Sequence, residues 1–237
     1  MDLIRHLLTN TYPQERGYIP SVPLSYPEII HTNNFVLTDK KSCKPAKDKH
    51  MPKCDTCKED VLYVDTNTPV HVLEFETFVK QFDKTKAEFK GNRCDVLLYD
   101  INEGIECPRI VFCELTCSNA LYVEPKGNLD GKRARAYQQI KNSIENLLDV
   151  FLLGETILNY PSKVGLFGWR EEQYSNMSDE AVSNMTLFSI TPSEESPLLY
   201  NNVYVMGHNF TFIQIKHPTH FEWNRNLPNK RQNNNQN

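Results

Sequence analysis

One change of period constrains this chain more than any other feature. Between residues 94 and 116 the apolar residues come in short β-branched and aromatic runs, "CDVLLYD" (94–100) and "RIVFCELT" (109–116). "INEGIECP" joins them, and Gly104 and Pro108 punctuate it as a hairpin connection. Then "NLDGKRARAYQQIKNSIENLLDVFLLG" (128–154) places Ile140, Ile144, Leu147, Leu148 and Phe151 at helical spacing. Asp130 is placed to cap that helix and Gly154 to end it. Strand character returns in "KVGLFGW" (163–169) and in one or two late strands within "NVYVMGHNFTFIQIKH" (202–217). Upstream, "VLYVD" (61–65) and "VHVLEFETFV" (70–79) also read as strands. Strands, a long helix and further strands imply an α/β or α+β fold with a mixed central sheet flanked by helices.

At 237 residues the chain is long enough for one elaborated domain. Residues 1–60 read as an N-terminal extension, 61–225 as the main domain, and the polar stretch 226–237 as a disordered tail. No apolar run approaches the roughly 20 residues that span a bilayer, so no membrane association is expected. The first residues show no long apolar core or cleavage site, so no secretory signal is read. Seven cysteines without an export signal point to a reducing cytoplasm, with thiols free or metal-bound. The formal net charge of -4 gives no global basic footprint, so any nucleic-acid contact must come from a local patch.

That patch is "TDKKSCKPAKDKHMPKCDTCKED" (38–60), too polar to build a core alone. Lys44, Lys47, Lys49 and Lys53 are its candidate phosphate contacts, and a solvated loop is the plainer reading. Cys54 and Cys57 form a C-x2-C pair, and with Cys43 and His50 they supply the four ligands of a structural zinc site. Zinc binding would then provide the ordering free energy, although the spacing from Cys43 to Cys54 is not a standard one.

The chemistry-bearing feature of the strand–helix region is a pair of acids. Asp95 opens one strand run and Glu114 sits near the end of the next, on the face shared with Phe112 and Thr116. Two converging carboxylates repel and call for a hard cation between them, Mg2+ or Mn2+, which could activate a water for phosphodiester hydrolysis. Acids at the ends of a hairpin also commonly meet only solvent. "GNRCDVLLYD … RIVFCELT … GKRARAYQQIKNSIENL" resembles the core of the PD-(D/E)xK, or restriction-endonuclease-like, nuclease superfamily over roughly residues 90–150. The resemblance implies Asp95 and Glu114 as magnesium ligands, and Gln139 with Ile140 as the helix motif, Gln138 being the alternative. Where the family has its lysine this chain has Thr116. Either Lys126 or Lys132 replaces it, or the domain only binds nucleic acid or a protein. The resemblance implies a nuclease, by analogy one of restriction or antiviral defence, held in check by a regulatory protein or by homo-oligomer assembly.

Other readings are weaker on the residues. Glu74 and Glu76 share one face of the 70–79 strand and read as solvated, or as an extra carboxylate for the site. Cys94, Cys107, Cys113 and Cys117 cluster round the acids. Cys117 with His208, His217 or His220 would make a nucleophilic hydrolase, but nothing pairs them. His217 and His220 read as exposed and polar, and Asp100 as a turn residue.

Overall fold

The protein is described here by a computed structural model covering residues 2–39, 60–101, 105, 107–118, 123, 131–171 and 204–224. In chain order its elements are α1 (Leu3–His6), a π-helical turn (Leu7–Thr11), α2 (Tyr12–Glu15), β1 (Glu28–His31), β2 (Phe35–Thr38), β3 (Asp60–Asp65) and β4 (Val70–Leu73). There follow α3 (Phe75–Val79), β5 (Val96–Tyr99), β6 (Arg109–Ser118), α4 (Lys132–Leu148), α5 (Phe151–Leu158), β7 (Ser162–Glu171), β8 (Tyr204–Val205), β9 (Thr211–Lys216) and β10 (His220–Glu222).

The expected mixed sheet is present. It has seven strands in the order β1-β4-β5-β6-β7-β9-β8. β4, β5 and β6 run antiparallel, while β6, β7 and β9 are mutually parallel. A parallel neighbour cannot be reached by a tight turn, so β6 returns to β7 through a crossover made of α4 and α5. One face of the sheet carries Leu73, Leu97, Tyr99, Ile110, Phe112 and Phe167 against helices α1 to α5. Among the described residues the other face does not meet helices. It carries Val72, Val96, Leu98, Val111, Cys113 and Val164 against a small sheet of order β10-β3-β2. Both faces are therefore covered, which is why "VLLY" of β5 is continuously apolar rather than alternating.

The 70–79 run is not one strand. β4 ends at Leu73 and α3 begins at Phe75. Phe75, Phe78, Val79 and Phe82 recur at helical spacing and are all buried, each worth about 1.5–3 kcal/mol of apolar burial. Glu74 is the N-cap position of that helix and Glu76 lies in its first turn, so the two do not share a strand face. The long helix is likewise two. α4 stops at Leu148, Val150 takes an extended conformation, and α5 restarts. Phe151, the last residue of the expected helical stripe, is 66% exposed. Gly154 does not end a helix but lies inside α5, where a Cβ would come within 2.8 Å of the Leu148 carbonyl oxygen. The N-cap of α4 is Gly131; Asp130 lies outside the described residues.

The described part of 1–60 is woven into the rest. Ile4, Leu7, Leu8 and Tyr12 join the helical core, β1 edges the large sheet and β2 pairs with β3. Asp100 is not a plain turn residue. It is buried, and its carboxylate accepts bonds from the Arg109 amide (2.9 Å) and from Trp223 Nε1 (2.7 Å). Among the described residues no helix is long and apolar enough to cross a membrane.

Candidate functional site

Residues of α4 place the acid pair. Gln139, Ser143 and Asn146 fall on one stripe of the helix at i, i+4 and i+7. Asn146 receives the Lys90 amide (3.2 Å) and donates to the Lys90 carbonyl (3.0 Å). Ser143 Oγ receives the Cys94 amide at 2.9 Å, and Gln139 Nε2 donates to the Arg93 carbonyl at 3.0 Å. The segment entering β5 is thus bound along the helix, and it delivers Asp95 to the start of the strand. Gly91 makes the turn possible with φ +78, pressed so close to α4 that a Cβ would lie 2.9 Å from Asn142. Gly165 of β7 lets the helix settle on the sheet, since a Cβ there would lie 2.9 Å from Ile140.

The regular β5–β6 ladder starts at Val96–Cys113. One step beyond it, the Asp95 amide donates to the Cys113 carbonyl (3.1 Å). The Asp95 carboxylate takes the place of a backbone acceptor by receiving the Leu115 amide at 2.9 Å. Glu114 projects from the same stretch of β6 towards α4, where Gln139 Nε2 donates to its Oε1 at 2.9 Å. Asp95 Oδ2 therefore sits beside the Glu114–Leu115 peptide, and bond lengths alone keep the two carboxylates within about 10 Å. Asp95 is 7% exposed and Glu114 half-buried. The same Gln139 lines a cleft of about 490 Å³, with Glu76, Lys84, Glu88 and Arg93 on its other walls. Arg93 is held by Asp83 through two bonds of 2.8 and 3.0 Å, which raise the guanidinium's pKa and lower the carboxyl's.

Thr116 is buried two positions beyond Glu114. Lys132 opens α4 seven residues before Gln139. It therefore lies on nearly the same side of the helix, about 10 Å towards the Thr116 side of Glu114. Gln138, the alternative to Gln139, bonds instead to Asn142 (2.7 Å). Lys126, the candidate zinc ligands Cys43, His50, Cys54 and Cys57, and Lys44, Lys47, Lys49 and Lys53 lie outside the described residues.

The cysteines do not gather at the acids. Cys107 is exposed at the far end of the hairpin, Cys113 faces the small sheet, and the Cys117 side chain is not among those described. Cys94 does lie close. Burial, with the charges of Glu114 and Asp95 adding to it, pushes its thiol far above the ordinary value, so it is no nucleophile. His220 Nδ1 lies 2.8 Å from Asp65 Oδ2, within hydrogen-bond distance, and the ring stacks on Tyr63, whose ring also contacts His217.

A second group was not anticipated by sequence reasoning. At the other end of β5, Asp2, Glu28 and His71 bring one ligand atom each within 4.8 Å of one another, and together they could hold a metal ion. They come from the N-cap of α1, from β1 and from β4. His71 Nδ1 lies 2.7 Å from Glu28 Oε1 and 3.7 Å from Asp2 Oδ2. Their positions span seventy residues with no shared motif. The one available signal was a histidine inside an apolar strand run. No family model, curated protein or solved structure matches this chain.

Proposed function

We propose that the protein is a metal-dependent nuclease whose centre is Asp95, Glu114 and Gln139. The observation that carries this reading is the bond from Gln139 on the crossover helix to Glu114, with the Asp95 carboxylate on the amide of the very next residue. Strand order supports it. Two antiparallel steps, β4-β5-β6, and then a parallel step to β7 across α4 and α5 set the helix that carries Gln139 against the strand that carries Glu114.

The donor set suits magnesium or manganese, since both ligands are hard carboxylate oxygens. A divalent ion held there supplies Lewis-acid polarisation of a phosphoryl oxygen and a more acidic bound water. The residues do the rest. Leu115 N–H fixes the Asp95 rotamer, and Gln139 fixes that of Glu114. Lys132 reaches towards the phosphate and carries the positive charge that Thr116 lacks; Lys126, the alternative, lies outside the described residues. The phosphate backbone approaches by the cleft beside Gln139, where Lys84 offers a cation. Restriction or antiviral defence remains the context that the resemblance implies.

A second reading has one specific observation behind it. Thr116, at the position of the family's lysine, is a buried uncharged hydroxyl, as expected if the domain binds nucleic acid or a protein without cutting. Incubation with plasmid, single-stranded DNA and RNA, with Mg2+ or Mn2+ and then with chelator, separates the two. Cleavage that needs the ion supports the nuclease. Retention of nucleic acid without cleavage in every condition supports the binding subunit.

A further inference from the structure

The Asp2–Glu28–His71 group is more than three ligand-type residues in proximity, because its hydrogen bonds do not add up. Tyr99 Oη lies 2.5 Å from Glu28 Oε1 and 2.7 Å from Asp2 Oδ2, yet a phenol carries one proton. Tyr26 Oη, 3.1 Å away, can donate to Tyr99 but reaches neither carboxylate through that bond. With both carboxylates ionised, the single Tyr99 proton has two acceptors to serve. The carboxylates are also sheltered, with side-chain exposures of 7% for Glu28 and 15% for Asp2. The His71 ring stacks on that of Tyr99 at 5.0 Å, and Arg5 Nη1 stands 3.9 Å from Glu28 Oε2.

We propose that Asp2, Glu28 and His71 form a structural site for a divalent transition ion of the zinc class, independent of the nuclease reading. One imidazole nitrogen and two carboxylate oxygens suit zinc, whose bonds to them run about 2.0–2.2 Å. Tetrahedral ligands at such bond lengths stand about 3.3–3.5 Å apart. The imidazole-to-carboxylate separations here, 2.7 and 3.7 Å, bracket that value. A bound ion takes up the charge of both carboxylates and leaves the Tyr99 proton to a single acceptor. It ties the N-terminal helix and the edge strand β1 to β4, so its effect is on stability.

The test uses full-length protein carrying Cys43→Ser, Cys54→Ser and Cys57→Ser, which removes every thiolate of the other candidate zinc site and leaves only His50 of its four ligands. Equilibrium dialysis with Zn2+ and thermal melting with and without chelator are the readouts. The expected result is one zinc per chain and a higher Tm with zinc than with chelator. Asp2→Asn keeps the N-cap of α1 and should retain the metal-free Tm. It should weaken zinc binding at least about tenfold, the loss that even an outer partner of a ligand causes. Glu28→Gln should do the same. A folded serine variant that binds no zinc overturns the site, as does zinc binding unaffected by Asp2→Asn and Glu28→Gln. If the serine variant does not fold, Co2+ in the wild-type chain decides. A visible spectrum containing a component without thiolate charge-transfer bands, lost in Asp2→Asn, supports the site, and a spectrum unchanged by Asp2→Asn overturns it.

Discussion

The two ends of β5 carry two groups of acids on the same face of the sheet, and they are built differently. At the Asp95 end, the carboxylates are oriented by a backbone amide and by the side-chain amide of Gln139, which also faces a cleft. At the Tyr99 end, about 13 Å along the strand, they are closed over by phenols and an imidazole. Amide donors fix orientation while leaving room for a substrate beside them. Aromatic donors seal the site from solvent and give it only a structural part. The comparison predicts that substitutions at one end change chemistry and at the other change stability.

The largest separation is expected from Gln139→Ala. Removing the donor that orients Glu114 should lower cleavage by about 10–100-fold with little change in Tm, measured by plasmid nicking beside thermal melting. Equal losses in both would place Gln139 in the scaffold alone. Next comes Tyr99→Phe. It removes the hydrogen-bond donor shared by Glu28 and Asp2, so a cost of about 1–3 kcal/mol is expected in urea unfolding of metal-free protein. Cleavage rates should be unchanged, and a loss of cleavage at full stability would dissolve the distinction between the two ends.

These residues also show what the sequence made legible. Asp95 and Glu114 were readable because two strand runs follow one another across a short connection, while Gln139 was singled out by the family resemblance rather than by period. Ser143 and Asn146, which hold the approach to Asp95, were hidden, because a polar stripe at helical spacing looks the same whether it faces water or a bound loop. The Tyr99 end was unreadable because Asp2, Glu28 and His71 meet only through the β1–β4 pairing. α3 was misread from its β-branched and aromatic content, although the spacing of Phe75, Phe78, Val79 and Phe82 was helical.

A pH effect should follow from the tyrosines that brace the helical core. Burial raises Tyr12 to about 12 and Tyr160 higher still, against 10.0 for the unfolded chain. A raised phenol favours folding fully below pH 10, and that contribution is lost as pH rises through the folded value. Stability in urea should therefore fall above pH 10, with part of the tyrosinate absorbance appearing only as the chain unfolds. Ionisation of every tyrosine before unfolding would contradict this. The smallest effect is expected from Asp83→Asn. The Arg93 pair is largely exposed at its acid, so a cost within about 1 kcal/mol is predicted, screened further by salt.

The central claim is that Asp95 and Glu114 serve one catalytic ion. Cleavage of plasmid DNA and of RNA by wild type, Asp95→Asn and Glu114→Gln, each titrated with Mn2+, tests it most directly. Cleavage should fall at least about a hundredfold in both variants, since even outer partners of a metal ligand cost 10–100-fold. Melting curves should stay close to wild type. Undiminished, ion-dependent cleavage by either variant would contradict the claim.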